Sequence, residues 1–321
     1  MEKRVEQPDW NGQRYFPISA FYRQRFGEKV YKVSVATSET CPVRNAVNNS
    51  EICVFCDKWG AAASRIELSG TLEDKIAIGQ KNIAKRYRAK AFLVYFQPYT
   101  STFERVSVLQ SQIETALAQP NIVGVVLGTR PDCLPQKIFP MLRKLNEQSF
   151  LSVELGAQSF VDTQLQFLRR GHTAQQTIDA AKRLYELSGV DLGVHLMLGL
   201  PGETQAELVE MASVVNSLPL SNVKLHNLHV LRDTPLETLF QKNEFTPVTL
   251  ENYRDKVILF LRHLSQTICV QRLTAVASRW DELIAPQWSR QKMHPVQTIL
   301  DEMERRDIWQ GDLLGKSAEH H

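Results

Sequence analysis

The stretch VSVATSETCPVRNAVNNSEICVFCDKWG, residues 33–60, carries three closely spaced cysteines directly after an apolar run, and it decides the fold. The run at 30–36 predicts a β-strand that ends shortly before Cys41. Cys53 and Cys56 follow as a CxxC pair. Three thiolates on a loop at the end of a strand suit a 4Fe–4S cluster whose fourth iron stays open to a ligand.

A structural zinc site is the main alternative, because a CxxC pair also serves as half of a zinc site or as a redox pair. Structural zinc takes four ligands in a closed geometry. No histidine lies between Trp10 and His172, and Asp57 is the nearest oxygen ligand to the pair. The sequence therefore favours the open cluster and leaves zinc as an alternative.

Length and composition indicate an ordinary globular protein. A chain of 321 residues can form one α/β barrel or two smaller domains. A net charge of +3 is too small to indicate nucleic acid by itself. There is no apolar run long enough for a membrane span and no signal-peptide core at the N-terminus. Five cysteines, three of them clustered, favour the reducing cytoplasm, and His320 and His321 are typical of an expression tag.

Short apolar segments alternate with helix-length segments through most of the chain. Strands are predicted at 30–36, 91–97, 122–128, 151–156, 192–198 and 223–231. Helices are predicted at 72–87, 103–117, 135–147, 174–187 and 204–217. Several strands are apolar nearly throughout, which is typical of strands covered on both faces. Six successive βα units predict a parallel sheet that either closes as a barrel or stays open as a doubly wound sheet.

The pattern changes after Leu231. A long helix is predicted at 250–267 and a further strand at 271–277. The stretch at 280–311 is polar, contains tryptophan and is expected to be mostly helical. We interpret this region as a C-terminal extension that packs on the barrel.

Polar residues cluster where the predicted strands end, which is where parallel α/β folds carry their chemistry. The strand ends read FQPYTST at 96–102, GTRPDC at 128–133, SVELGAQS at 152–159 and VHLMLGLPGET at 194–204. Singly, Glu154 fits a solvated carboxylate, Arg130 a surface ion pair and His195 a satisfied core histidine. Together they predict one site at the carboxyl end of the sheet.

These motifs resemble those of the radical S-adenosylmethionine (SAM) superfamily. Three cysteines follow the first strand, and ELGAQSF, RRGH and HLMLGLPGET are shared with the radical half of the elongator catalytic subunit and with oxygen-independent coproporphyrinogen oxidase. The chain is most similar to the bacterial YhcC-type family, through YFQPYTST, GTRPDCL, KLHNLHVL, RLTA and APQWS. The resemblance covers residues 15–311. It implies a partial (β/α)6 TIM-type barrel at 27–235, preceded by an N-terminal extension at 1–26. A C-terminal helical extension at 236–315 and a tail at 316–321 would follow the barrel.

The resemblance also implies cofactors and residue roles. Cys41, Cys53 and Cys56 would bind the 4Fe–4S cluster. The expected SAM contacts are Phe55 beside the adenine, Gln97 to Thr100 at the amino group, Glu154 and Gln158 at the ribose or methionine part, Arg170 at the carboxylate and His195 at the ribose, with Arg130 as a further strand-end candidate. Two departures stand out. Eleven residues separate the first two cysteines in place of the usual three, and QPY replaces the usual GGE of the amino-group turn.

The implied activity is that of a radical SAM enzyme. A reduced cluster would split SAM into methionine and a 5′-deoxyadenosyl radical that abstracts hydrogen from a substrate, with flavodoxin or ferredoxin as electron donor. RNA is the leading substrate class by analogy with the elongator subunit. Basic residues near the N-terminus either contact phosphates or form a solvated face; they are Arg14, Arg23, Arg25, Lys29 and Lys32. The alternative is an iron–sulfur regulatory or partner-binding protein without turnover.

Overall fold

The computed structural model describes residues 10, 12–37, 41–43, 52–57, 60, 70–277 and 279–315. The tail predicted at 316–321 and most of the loop between the first two cysteines lie outside the described residues. None of the helices in the described part of the chain combines the length and the apolar character needed to cross a membrane.

Seven parallel strands form the main sheet of the described residues, in the order β1-β2-β3-β4-β5-β6-β8. These strands are β1 (Val30–Val35), β2 (Ala91–Phe96), β3 (Ile122–Thr129), β4 (Phe150–Gln158), β5 (Asp191–Met197), β6 (Asn222–His226) and β8 (Cys269–Val270). An antiparallel pair lies apart from them and consists of β7 (Val230–Leu231) and β9 (Leu283–Ala285). The first six strands follow one another in both sequence and space, which confirms the predicted βα barrel.

The helices lie before, between and after these strands. They are α1 (Ile18–Phe26), α2 (Leu72–Tyr87), α3 (Val106–Leu117), α4 (Ile138–Gln148), α5 (Asp162–Phe167), α6 (Ala174–Ser188), α7 (Gln205–Ser217), α8 (Pro235–Gln241), α9 (Leu250–His263) and α10 (His294–Arg305). Several begin at a capping threonine; Thr71, Thr173 and Thr204 each form a reciprocal capping box that satisfies free backbone N–H groups.

Three sequence predictions in the C-terminal third were wrong in detail. The strand predicted at 223–231 is two strands, because Asn227 leaves the sheet and bonds Thr274 and Ser289. The strand predicted at 271–277 is only β8, just upstream of that range. The helix predicted at 250–267 ends at His263, because the Asn216 amide donates to the His263 carbonyl at 2.8 Å. The predicted extension therefore contributes a strand to the main sheet as well as helices.

The strands are apolar on their outer face, whereas the inner face of β4 to β6 is largely polar. On β4 the outer residues Val153, Leu155 and Ala157 belong to the main apolar cluster with the helices. The alternate residues include Glu154, which is buried among polar groups. The expectation of strands apolar on both faces is therefore wrong for β4 to β6, and the barrel interior is built for polar chemistry.

Helix α1 closes the amino end of the barrel. Its Tyr22 packs with Val30, Leu93 and Val126 in a separate apolar cluster. The Phe26 ring meets the ring of Phe150, the first residue of β4, edge-on at 5.2 Å. Apolar side chains therefore fill the amino end of the sheet.

The basic residues of the N-terminal region do not form one face. Arg25 stacks over Phe150 and Lys29 precedes β1, so both lie at the amino end of the barrel. Lys32 points into the barrel and pairs with Glu154. Arg14 pairs with Asp307 at 2.8 Å. These four residues therefore do not share one face, and their contact with phosphates stays a prediction.

Candidate active site

One cavity at the carboxyl end of the sheet brings together every residue that the sequence predicted for the site. Its lining includes Cys41, Cys53, Phe55, Cys56, Gln97, Thr100, Arg130, Glu154, Gln158, Arg170 and His195. They come from the loop after β1 and from β2 to β5 and the segments after them. Their individual cofactor contacts stay predictions.

Backbone hydrogen bonds fix the CxxC turn against the barrel. Cys56 N–H donates to the Cys53 carbonyl at 3.0 Å. Between them, Val54 N–H donates to Leu168 O at 3.2 Å, and Val54 O accepts from Leu236 N–H at 2.8 Å. The Val54 side chain is buried in an apolar cluster that includes these two leucines. The start of α8 and the residue that ends α5 therefore set the position of Cys53 and Cys56.

The surroundings of Cys53 suit a metal-bound thiolate. Arg170 Nη1 donates to Cys53 Sγ at 3.3 Å, and a guanidinium is electrostatically complementary to a metal-bound thiolate. Among the described residues, no three thiol, imidazole or carboxylate groups converge on one point that could hold an ion.

Several predicted SAM contacts carry buried polar atoms that need a partner. Within the described chain, no hydrogen bond reaches Thr100 Oγ1, Arg130 Nη1 or Arg170 Nε. The rest of the Arg130 guanidinium is held by Asp132 at 2.8 and 2.9 Å. More than 90% of buried polar groups in proteins are satisfied, so unpaired atoms on a cavity wall indicate a polar ligand. The hydroxyl, amino and carboxylate groups of SAM fit this requirement.

In the ELGAQ segment, Gly156 leaves room for two side chains where β4 reaches the cavity. The pairing of β4 with β5 shifts register between Leu155 and Gln158, and Gln158 adopts a left-handed φ of 68°. Such bulges and strained residues are common beside active sites. A Cβ on Gly156 would lie 2.9 Å from Gln158 Nε2 and 3.2 Å from Arg170 Nη2. Gly156 therefore allows two predicted SAM contacts to approach the strand closely.

Glu154 lies inside the barrel rather than at its rim as a solvated carboxylate. Its side chain is 1% exposed. Its Oε2 accepts from the Tyr95 hydroxyl at 2.6 Å and from His195 Nε2 at 2.7 Å. Lys32 pairs with Oε1, and Lys224 Nζ lies 3.5 Å from Oε2. Glu154 is thus the centre of a polar network that spans β1, β2, β5 and β6.

The charge state of Glu154 follows from this network. Burial by itself would raise the pKa of Glu154, but attraction to Lys32 and Lys224 and the bond from His195 hold that pKa well below its usual range. Glu154 is therefore ionised at neutral pH and serves as the counter-charge of two buried lysines. A direct contact between Glu154 and SAM stays a prediction.

Sequence reasoning missed several residues of the cavity, among them Tyr95, Lys224 and Arg272, and did not place Lys32 inside the barrel. The available signal was a lysine in the middle of each of two apolar strands, VYKVSV and NVKLH. A buried lysine is rare unless it is paired. Each of these lysines therefore indicated a partner inside the barrel.

Acid should destabilise the protein through its buried histidines. Burial lowers the pKa of His195 and of His229 to about 4 and that of His172 to about 3. Between these values and the ordinary histidine pKa, the unfolded chain binds more protons than the folded chain, so stability falls as pH falls. We expect the free energy of unfolding to drop by roughly 2 kcal/mol or more from pH 7 to pH 5.

Urea denaturation at the two pH values measures this drop, and His229→Asn should make it smaller. Equal stability at pH 7 and pH 5 would show that these imidazoles are not held neutral in the fold.

Comparison with known proteins agrees with this site. The family profile of the Radical SAM superfamily matches residues 37–215, which is more than half of the chain. The chain belongs to the radical SAM superfamily. The profile of the Radical_SAM C-terminal domain matches residues 220–305. The protein is therefore a radical SAM enzyme, and membership implies a 4Fe–4S cluster and SAM as its cofactors.

Individual relatives show to which branch of the superfamily the chain is most similar. Protein YhcC of Escherichia coli (strain K12) is 32% identical over 297 residues, which are 91% of this chain and 93% of YhcC. The predicted membership of the YhcC-type family is thereby confirmed. The tRNA uridine(34) acetyltransferase of Methanocaldococcus jannaschii is 26% identical over 222 residues, 67% of this chain and 36% of that protein. The structure of Methanocaldococcus infernus Elp3 with an N-terminal deletion is 17% identical in sequence and superposes with a TM-score of 0.66. The match covers 88% of this chain and 64% of the Elp3 chain, and it shows that the two share a fold.

Proposed function

We propose that Cys41, Cys53 and Cys56 hold the 4Fe–4S cluster of this enzyme and that the polar wall of the same cavity holds SAM. The observation that supports this most strongly is that the three cysteines share one cavity with the unpaired polar atoms of Thr100, Arg130 and Arg170. When bound, a reduced cluster supplies the electron that splits SAM to methionine and a 5′-deoxyadenosyl radical, which abstracts hydrogen from the substrate.

Arg170 is positioned to orient SAM beside the cysteines. Its guanidinium donates to Cys53 Sγ and, at 3.0 Å, to the Gly156 carbonyl. The same guanidinium lies 5.9 Å from the centre of the Phe55 ring. Its Nε remains available for the SAM carboxylate, because within the described residues nothing else bonds it. The predicted carboxylate contact and the predicted adenine contact thus lie side by side.

SAM binding to the reduced protein tests this assignment. We expect the electron paramagnetic resonance spectrum of the reduced, reconstituted protein to change on addition of SAM, because an open iron gains ligands. Gly156→Ala should weaken SAM binding by about tenfold or more, since the added methyl displaces Gln158 and Arg170. The control is Ser107→Ala, an exposed position on α3 that does not line the cavity.

A spectrum that SAM leaves unchanged would argue against an open iron. Equal SAM affinity of Gly156→Ala and of the control variant would argue against binding at ELGAQ.

We infer the electron donor and the compartment from the chemistry of the cluster and of the thiols. A low-potential cluster needs a donor such as flavodoxin or ferredoxin, and the reducing cytoplasm keeps its thiols free. All five cysteines are unpaired with one another in the structure. Pull-down of a flavodoxin by the reconstituted protein, and reduction of its cluster by that flavodoxin, would test the donor.

RNA is the candidate substrate class for this enzyme. The observation that favours it is the 222-residue match to a protein named as a tRNA uridine(34) acetyltransferase. RNA bound over the cavity mouth should dissociate steeply with added salt. The affinity for RNA should be unchanged in Arg25→Glu, because Arg25 lies at the opposite end of the barrel from the cavity. Salt-independent binding, or none at low salt, would argue against RNA.

A further inference from the structure

Basic side chains gather at one end of the cavity, on β6, just after β6 and just after β8. Lys224 and His226 lie two residues apart on β6 and both line the cavity. Arg272 follows β8, where its carbonyl accepts from Leu225 N–H at 3.1 Å. His229 lines the same end. We call Lys224, His226, His229 and Arg272 the cationic end of the cavity.

Arg272 is a half-buried cation without a carboxylate partner. Its Nη2 donates to the His226 ring, and its Nε lies 3.3 Å from the Leu225 carbonyl. In the described part of the chain, no carboxylate lies within ion-pair distance of its guanidinium. Since His226 accepts this bond, its ring is neutral, and burial keeps the pKa of His226 well below its usual range. The charge of Arg272 is therefore not compensated by the groups that touch it.

The nearby carboxylates do not balance the cations of the barrel. Glu154 is shared by Lys32 and Lys224, and Lys224 also lies 3.1 Å from the Tyr95 hydroxyl. Asp191 is bonded by Ser152 at 2.8 Å and is not part of the cavity wall. One lining carboxylate thus faces three cationic side chains, two lysines and Arg272.

A bound anion would lower the free energy of this cavity, because its cations outnumber its carboxylates. Burial lowers the pKa of Lys224 to about 7 and also lowers the pKa of Arg272, so both side chains gain from a nearby negative charge. His229 Nε2 is buried, and the described residues offer it no partner, so it adds a further unused polar group. A low-dielectric cleft lined by one sign of charge also concentrates ions of the opposite sign.

We propose that the cationic end binds an oxyanion of the substrate, a carboxylate or phosphate at the terminus of a small organic molecule. Arg272 supplies a planar fork that matches either group, and Lys224 supplies a point charge beside it. The position on the inner face of the barrel favours a terminal group, because a phosphate within a nucleic-acid chain is flanked by sugars on both sides. The inference rests on the proposed function only for the hydrogen abstraction that follows binding.

Binding of inorganic phosphate and malonate to the reconstituted protein tests the proposal without turnover. We expect calorimetry at low salt to show one site per chain for at least one probe. Arg272→Gln and Lys224→Gln should each weaken it tenfold or more, and Arg272→Lys should have a smaller effect. Lys144→Gln, an exposed lysine on α4, is the matched control and should bind as the wild type does. Thermal melting verifies that each variant is folded.

The two probes distinguish the sources of the anion, since a preference for phosphate indicates a phosphorylated substrate and a preference for malonate indicates a carboxylic acid. Four outcomes would overturn the proposal. Neither probe binds, or the variants bind as the control does. SAM displaces the probe competitively, which would assign the cationic end to the SAM carboxylate. An unphosphorylated RNA oligonucleotide displaces it, which would assign this end to a nucleic-acid backbone. Failure of SAM cleavage would affect none of these readings.

Discussion

Replacing Cys53 with alanine should remove most of the iron from the anaerobically reconstituted protein and abolish its cleavage of SAM. The wild type should hold about four irons and four sulfides per chain, the content of one cube cluster. Cys53 lies in the backbone-anchored CxxC turn, and its sulfur accepts from Arg170. The two remaining thiolates cannot hold a cluster that needs three, so we expect only a small amount of labile iron in the variant. Cys41→Ala and Cys56→Ala should behave in the same way.

Cys133→Ala is the matched control for these variants. Cys133 is buried, and burial raises the pKa of its thiol to about 12, so it stays protonated and is a poor metal ligand. Its replacement should leave iron, sulfide and SAM cleavage near wild-type values. Stoichiometric zinc in the wild type, with unchanged metal content in Cys53→Ala, would support the closed zinc site instead.

Replacing Glu154 with glutamine should destabilise the fold by about 3 to 5 kcal/mol, because it leaves buried lysines without their counter-charge. Lys32 and Lys224 both depend on this carboxylate, which also accepts from Tyr95 and His195. Urea denaturation measures the loss, with Glu147→Gln on the exposed side of α4 as control. The control should change stability by less than about 0.5 kcal/mol.

A double-mutant cycle identifies the cause of the destabilisation. If the unpaired charge of Lys32 is responsible, Lys32→Met should recover part of the loss in the Glu154→Gln background, whereas alone it should be destabilising. Additive effects of the two substitutions, or a loss below about 1 kcal/mol for Glu154→Gln, would show that the network is not electrostatically coupled.

The sheet was largely predictable because each long strand carries its own apolar pattern. β2 and β3 were found within a residue or two of their ends. β8 was misplaced because two residues carry no periodicity; its position is set by backbone bonds from Cys269 to Ser221 and between Val270 and Phe16. The end of α9 was missed for a similar reason, since its capping amide, Asn216, is 47 residues away in sequence.

The site was predictable where a motif marks a strand end and unpredictable where several strands combine. The cysteine loop, ELGAQS and RRGH identified residues that the fold does bring to one cavity. The partners of Glu154 were not predictable, because Lys32 and Tyr95 are 122 and 59 residues away from it and meet it only across the barrel. Arg272 was missed because the short β8 gave no reason to place it on the cavity wall.

The most direct test of the account is reductive cleavage of SAM by the reconstituted protein. With a chemical reductant or reduced flavodoxin, we expect methionine and 5′-deoxyadenosine to form in equal amounts with wild type, and neither to form with Cys53→Ala or without reductant. Liquid chromatography with mass detection measures both products. An intact cluster that yields no 5′-deoxyadenosine would contradict the proposed reaction and favour an iron–sulfur protein that binds partners without turnover.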